Sequence, residues 1–149
     1  MILVIEGPRG SGRTTKAIQY SSHYNHAIIW NCARDFTYSG KNYINYTGSD
    51  IDQFKRMTQN GMIDAIILDN FNDTLVSIQN PAIRYYFDDS SPDNALEKST
   101  DDKLMEFFVS ATQARQDIIL VKDTIPLGLP KVDHFLEMFP IIKTKSLIK

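Results

Sequence analysis

"ILVIEGPRGSGRTT", residues 2–15, joins a short apolar run to a glycine-rich turn and then to a pair of threonines. A run of this length ended by Gly-Pro reads as a buried strand. The threonines open a helix. A glycine-rich turn between strand and helix aims several backbone N–H groups at one point, and the helix N-terminus adds partial positive charge there. Gly7, Gly10 and Gly12 leave a polyphosphate room to approach the backbone. The layout is G-x-x-x-x-G-[KR]-T, with Arg13 where a phosphate-gripping lysine is expected. Arginine keeps the charge and can grip through two donors, but it is bulkier and planar. The pattern predicts that Gly7, Pro8, Arg9, Gly10, Ser11, Gly12, Arg13, Thr14 and Thr15 hold a nucleotide, and that the Thr14 hydroxyl ligates Mg²⁺. The bland alternative is a tight glycine turn with no ligand.

Further along, "HAIIWNC" (26–32) and "DAIILDN" (64–70) are two more continuous apolar strands, and "NYINY" (42–46) is a weaker one. Ser49 with Asp52 reads as a capping box that opens a helix lined by Ile51, Phe54 and Met57. Ser99 with Asp102 forms another, followed by Leu104, Phe107, Phe108 and Ala111 on one helical face. "DIILVKD" (117–123) is a further strand, "VDHFLEMF" a short helix and "PIIK" a last strand. Strands that are apolar on both faces and alternate with helices predict an α/β domain with a mostly parallel sheet flanked by helices. Residues 1–149 read as one domain, with an exposed acidic loop over 88–99 and a basic, peripheral tail over 143–149.

Composition excludes several classes. The 149 residues are 42% hydrophobic and 23% charged with a net charge of −2, so no large nucleic-acid-coating face is implied. The single cysteine, Cys32, permits no disulfide framework and reads as a core residue of the second strand, which points to a cytoplasmic setting. No apolar run approaches the roughly 20 residues of a membrane span. The chain opens directly on a strand without a basic leader, so no signal peptide is read.

Asp69 ends the apolar run of "AIILDN", and ligands of open α/β sheets collect at such strand ends. It is the expected carboxylate partner of Thr14 at Mg²⁺. Beside it stands Asn70, where a water-activating glutamate is usual. An asparagine can orient water but cannot accept its proton. Glu6, and after it Asp73, are candidate replacements for that base.

Taken together, "GPRGSGRTT", "AIIWNCARDF", "MIDAIILDNF" and "FFVSATQARQDIILVKDTIPLGLPK" resemble the compact P-loop ATPases of the FtsK–HerA group, especially viral genome-packaging ATPases and zonula-occludens-toxin-like phage proteins. The resemblance implies a RecA-like P-loop NTPase that hydrolyses ATP with Mg²⁺ and drives DNA translocation or packaging as a homo-oligomeric ring. Arg115 then matches an arginine offered in trans to the neighbouring subunit, with the alternative of a solvated cation in the last turn of its helix. The sensor strand departs from the family's pattern, since Lys122-Asp123-Thr124 stands where a threonine and glutamine are usual. The departures at Arg13, Asn70 and Asp123 imply slow turnover. A viral source would move the setting to the host cytoplasm or the virion. Arg84, Tyr85, Tyr86 and Phe87 read either as a base-stacking surface or as packed aromatics, and Lys55, Arg56, Lys143 and Lys145 either as local phosphate contacts or as ordinary scattered surface cations.

Two other readings stay open. "IEGPRGSGRTT" also resembles the opening of thymidylate kinases, with Asp69, Phe71, Thr74 and Gln79 at the spacing of a second motif of that family. A nucleotide-binding assembly switch with little turnover is the third.

Overall fold

The computed structural model describes residues 1–32, 43–79 and 99–145. In chain order these form β1 (Ile2–Glu6), α1 (Arg13–Tyr20), a 3₁₀ turn (Ser21–His23), β2 (Ala27–Trp30), β3 (Tyr43–Tyr46), α2 (Ile51–Thr58) and β4 (Ala65–Leu68). They continue through α3 (Phe71–Gln79), α4 (Thr100–Gln113), β5 (Asp117–Lys122), α5 (Pro130–Leu136) and β6 (Ile141–Lys143).

All six strands run parallel in one sheet of order β3-β2-β4-β5-β1-β6. This is a RecA-like α/β arrangement in which β5 lies between the strand that feeds the glycine loop and the strand that ends at Asp69.

Strand residues alternate between the two sheet faces, and both faces are covered. Leu3, Ile5, Ile29, Ile67 and Val121 pack on one side against Ala17 of α1. Ile2, Val4, Trp30, Leu68 and Leu120 pack on the other against side chains of α2, α3, α4 and α5, including Phe54, Phe71, Phe107 and Val132. Trp30 stacks on Phe54 at 4.3 Å between ring centres, and its indole N–H donates to Gly48 O at 2.8 Å.

Because every strand points the same way, the residues that follow β1, β2, β4, β5 and β6 all emerge at one edge. That edge carries the glycine loop, Asn31, Asp69, Asp123 and Thr144. Arg115 precedes β5 and lies at the opposite end of the sheet.

Several local expectations shift. The cap of α2 is Asp50, one residue beyond Ser49: its carboxylate accepts from Asp52 N and Gln53 N, an acceptor reach that the helix start at Ile51 requires. Ser99 does cap α4, accepting from Asp102 N at 3.2 Å. Leu104, Phe107, Phe108 and Ala111 are all buried beneath that helix. Cys32 lies just beyond β2 and is half-buried. Lys143 closes β6 and Thr144 docks on the glycine loop, so the first two residues of the expected basic tail belong to the fold. Residues 84–87 and nearly all of the acidic loop lie outside the described residues, as does the end of the basic tail.

Candidate functional site

The turn after β1 begins with a hydrogen bond from Ser11 N to Pro8 O at 3.3 Å. Gly10 and Gly12 hold φ of 77° and 79°, left-handed values that glycine adopts without steric cost. A Cβ at either position would meet nothing within 4 Å, so open space lies beside both glycines. Gly12 is the N-cap of α1, and no side chain caps that end. A helix start without a side-chain cap suits an anion.

Gly7 has a different reason to be glycine. A Cβ there would lie 1.9 Å from Thr144 Oγ1. Its small size makes room for the residue after β6, not for a phosphate. Thr144 Oγ1 and Ser11 Oγ share a hydrogen bond of 2.6 Å, and Thr144 N donates to Glu6 O at 2.8 Å. The last strand thus braces the loop.

Arg13 is buried. Its Nη1 donates to Gly7 O at 2.7 Å and its Nη2 to Asn70 Oδ1 at 3.0 Å. The guanidinium lies across the base of its own loop. Asn70 has φ of 49°, a left-handed value that asparagine tolerates better than most residues. Its amide nitrogen donates to Asp73 Oδ2 at 3.2 Å, and Asp73 also pairs with Arg9. One chain of polar contacts therefore links both flanks of the glycine loop to the start of α3. Thr15 faces solvent.

Thr14 and Asp69 meet as expected: Thr14 Oγ1 donates to Asp69 Oδ1 at 2.9 Å. The other oxygen, Asp69 Oδ2, accepts from Asn31 Nδ2 at 3.1 Å. Asp69 is 1% exposed and Asn31 3%. A hydroxyl beside a carboxylate is an all-oxygen donor set suited to Mg²⁺. The backbone of Asp69 is anchored from α3, where Thr74 Oγ1 donates to Asp69 O at 3.2 Å.

Glu6 lies on the sheet face away from α1, by alternation with Val4 and Ile2. Its Oε1 accepts from Lys122 Nζ at 2.9 Å. Lys122 also donates to Asp123 O at 2.8 Å and Ile125 O at 3.0 Å. An ammonium has three donors, so all are used within the protein. Asp123 turns its carboxylate on Thr124, accepting from Thr124 N at 2.7 Å. Its own N–H is held by Asn72 Oδ1 at 2.7 Å, which stitches the end of β5 to α3.

Arg115 is exposed and holds φ of 58°. Gln116 N donates to Ala111 O and Arg115 N to Thr112 O, the paired bonds of a Schellman motif. Arginine occupies the left-handed position that glycine usually takes there. It stands at the far end of the sheet from the glycine loop of the same chain.

The residues brought together are thus Gly7–Thr14, Asp69 and Asn70, with Glu6 at their margin. Sequence reading missed Asn31, Thr144 and Asn72. Asn31 carried a signal: "AIIWN" (27–31) repeats the layout of "AIILD" (65–69), an apolar strand ended by a short polar residue. The chain matches no protein-family model and no curated protein.

Proposed function

We propose that the chain binds ATP with Mg²⁺ through Gly7–Thr15, Thr14 and Asp69, and hydrolyses it slowly as a ring-forming, DNA-translocating or genome-packaging ATPase. The observation that carries the nucleotide reading is the 2.9 Å contact of Thr14 Oγ1 with Asp69 Oδ1 beside an open, left-handed glycine turn and an uncapped helix. Bound Mg²⁺ would neutralise phosphate oxygens. The loop amides would hold the phosphates, and Thr14 and Asp69 would take up the cation. Arg115 is exposed at the opposite end of the sheet from its own loop, so any phosphate it served would belong to a neighbouring copy.

Slow turnover follows from the polar partners. Glu6 is paired with Lys122, and Asp73 with Arg9 and the Asn70 amide, so neither candidate base is a free carboxylate. The same pairings favour a second reading, a nucleotide-binding assembly switch with little turnover. The kinase alternative is weaker. Phe71 and Thr74, two of the residues that carry that resemblance, are used within the core: Phe71 against Trp30, and Thr74 on the Asp69 carbonyl.

Phosphate release with and without double-stranded DNA, beside the solution mass with and without ATP, separates these readings. A motor predicts DNA-stimulated release from a ring. A switch predicts nucleotide-dependent assembly without release. ADP formed only when a nucleoside monophosphate is supplied would restore the kinase.

A further inference from the structure

We infer that Asn31 is a positioning residue for the metal-binding carboxylate, which rests on the MgATP reading above. β2 and β4 are neighbours in parallel register, with Trp30 opposite Leu68. The next residue of each strand, Asn31 and Asp69, therefore emerges side by side at the edge that bears the glycine loop. Asn31 Nδ2 donates to Asp69 Oδ2 at 3.1 Å while Thr14 takes Oδ1. The backbone of Asn31 is itself fixed, its N–H donating to Tyr46 O at 3.1 Å on the next strand. Asn31 is thus held by its backbone at Tyr46 of β3 and by its side chain at Asp69 beyond β4.

The division of labour between the two oxygens has a chemical consequence. A bound cation would be held by the Thr14 hydroxyl and by Asp69 Oδ1, in place of the hydrogen bond these two atoms share here. Asn31 would meanwhile keep its hydrogen bond to Oδ2, which favours the rotamer that leaves Oδ1 on the side of Thr14. Groups that orient a metal ligand in this way govern metal affinity by about 10–100-fold. In this reading Asn31 acts through the Asp69 carboxylate, so its effect requires the metal.

The test is binding of a fluorescent ATP analogue by the full chain, with Mg²⁺ titrated and in EDTA. For Asn31→Ala the half-saturating Mg²⁺ concentration should rise at least about tenfold, with binding in EDTA unchanged. In an Asp69→Asn background the same substitution should add nothing, because the group it acts through is gone. Thermal melting accompanies each variant. Should Asn31→Ala not fold, Asn31→Ser, which keeps an O–H donor, is titrated instead and should show a smaller rise in the same direction. An unchanged Mg²⁺ requirement overturns the inference, as does an equal loss with and without metal or a full additive effect beside Asp69→Asn. Absence of any nucleotide binding by the wild-type chain is a separate result: it overturns the parent reading and the inference with it.

Discussion

Arg13 Nη2 donates to Asn70 Oδ1 across 3.0 Å, so two of the positions that depart from the expected phosphate-site pattern touch each other. The forked guanidinium spans Asn70 and the Gly7 carbonyl at once, which a lysine ammonium on a single stem does less well. A glutamate at position 70 would be drawn into an ion pair with Arg13 and lost as a base. The two departures therefore explain each other. The third, Asp123, belongs to a separate set of contacts with Thr124 and Asn72.

This contact should be measurable as coupling. A hydrogen bond to a buried charged group contributes about 1.5–3 kcal/mol. Arg13→Lys and Asn70→Ala should each lower stability in urea denaturation, and together cost about 1 kcal/mol less than their sum. Simple additivity would mean that the contact carries no energy.

Gly7→Ala should destabilise the fold by about 1–3 kcal/mol through overpacking, since the new Cβ falls 1.9 Å from Thr144 Oγ1. Thr144→Ala in the same chain should recover part of the loss, because the Thr144 carbonyl, 2.9 Å from that Cβ, remains. Melting temperatures of the two single variants and the double variant decide it. No recovery in the double variant would place the strain elsewhere in the loop.

Arg115→Gly separates conformation from function. Relief of a left-handed non-glycine residue should raise stability by about 1 kcal/mol. If Arg115 acts on a neighbouring subunit, ATP turnover should nevertheless fall by about 10³-fold or more with nucleotide binding intact. A more stable chain with normal turnover would reduce Arg115 to a helix-end residue.

Stability should fall in alkali. Burial pushes the Tyr24 hydroxyl well above its ordinary value of 10.0, and its 2.5 Å hydrogen bond to Asp117 adds to the rise. Burial likewise pushes the Cys32 thiol above 9.0. Both groups hold their protons more tightly folded than unfolded, so the stabilisation is complete below about pH 9 and is lost as pH rises beyond the unfolded values. Tyr24→Phe should flatten the fall above pH 10. Cys32 should react slowly with iodoacetamide at pH 7 compared with free cysteine, because its thiolate is scarce.

Much of this was legible in the chain. The strand and helix pattern was read from local periodicity, and the Thr14–Asp69 pairing from the rule that ligands gather at strand ends. The cap at Asp50 was misassigned to Ser49 because both residues are good caps and only the helix start at Ile51 decides between them. Glu6 read as a free base because its partner lies 116 residues away in sequence, on β5. Asn31 went unmarked because an asparagine after a strand is ordinary until its neighbour is known.

The sequence by itself determined which segments are strands, which are helices, and that a glycine loop links the first of each. These depend on contacts within a few residues, and local spacing encodes them. Only the tertiary structure decided the order β3-β2-β4-β5-β1-β6. That order sets Asn31 beside Asp69, Lys122 on Glu6, Thr144 on Gly7, and Arg115 at the far end of the sheet. Near-identical apolar strands such as "AIIW" and "AIIL" carry no local mark of their neighbours. Their pairing is settled when the helices cover both faces of one sheet, and the partners of the site residues are settled with it.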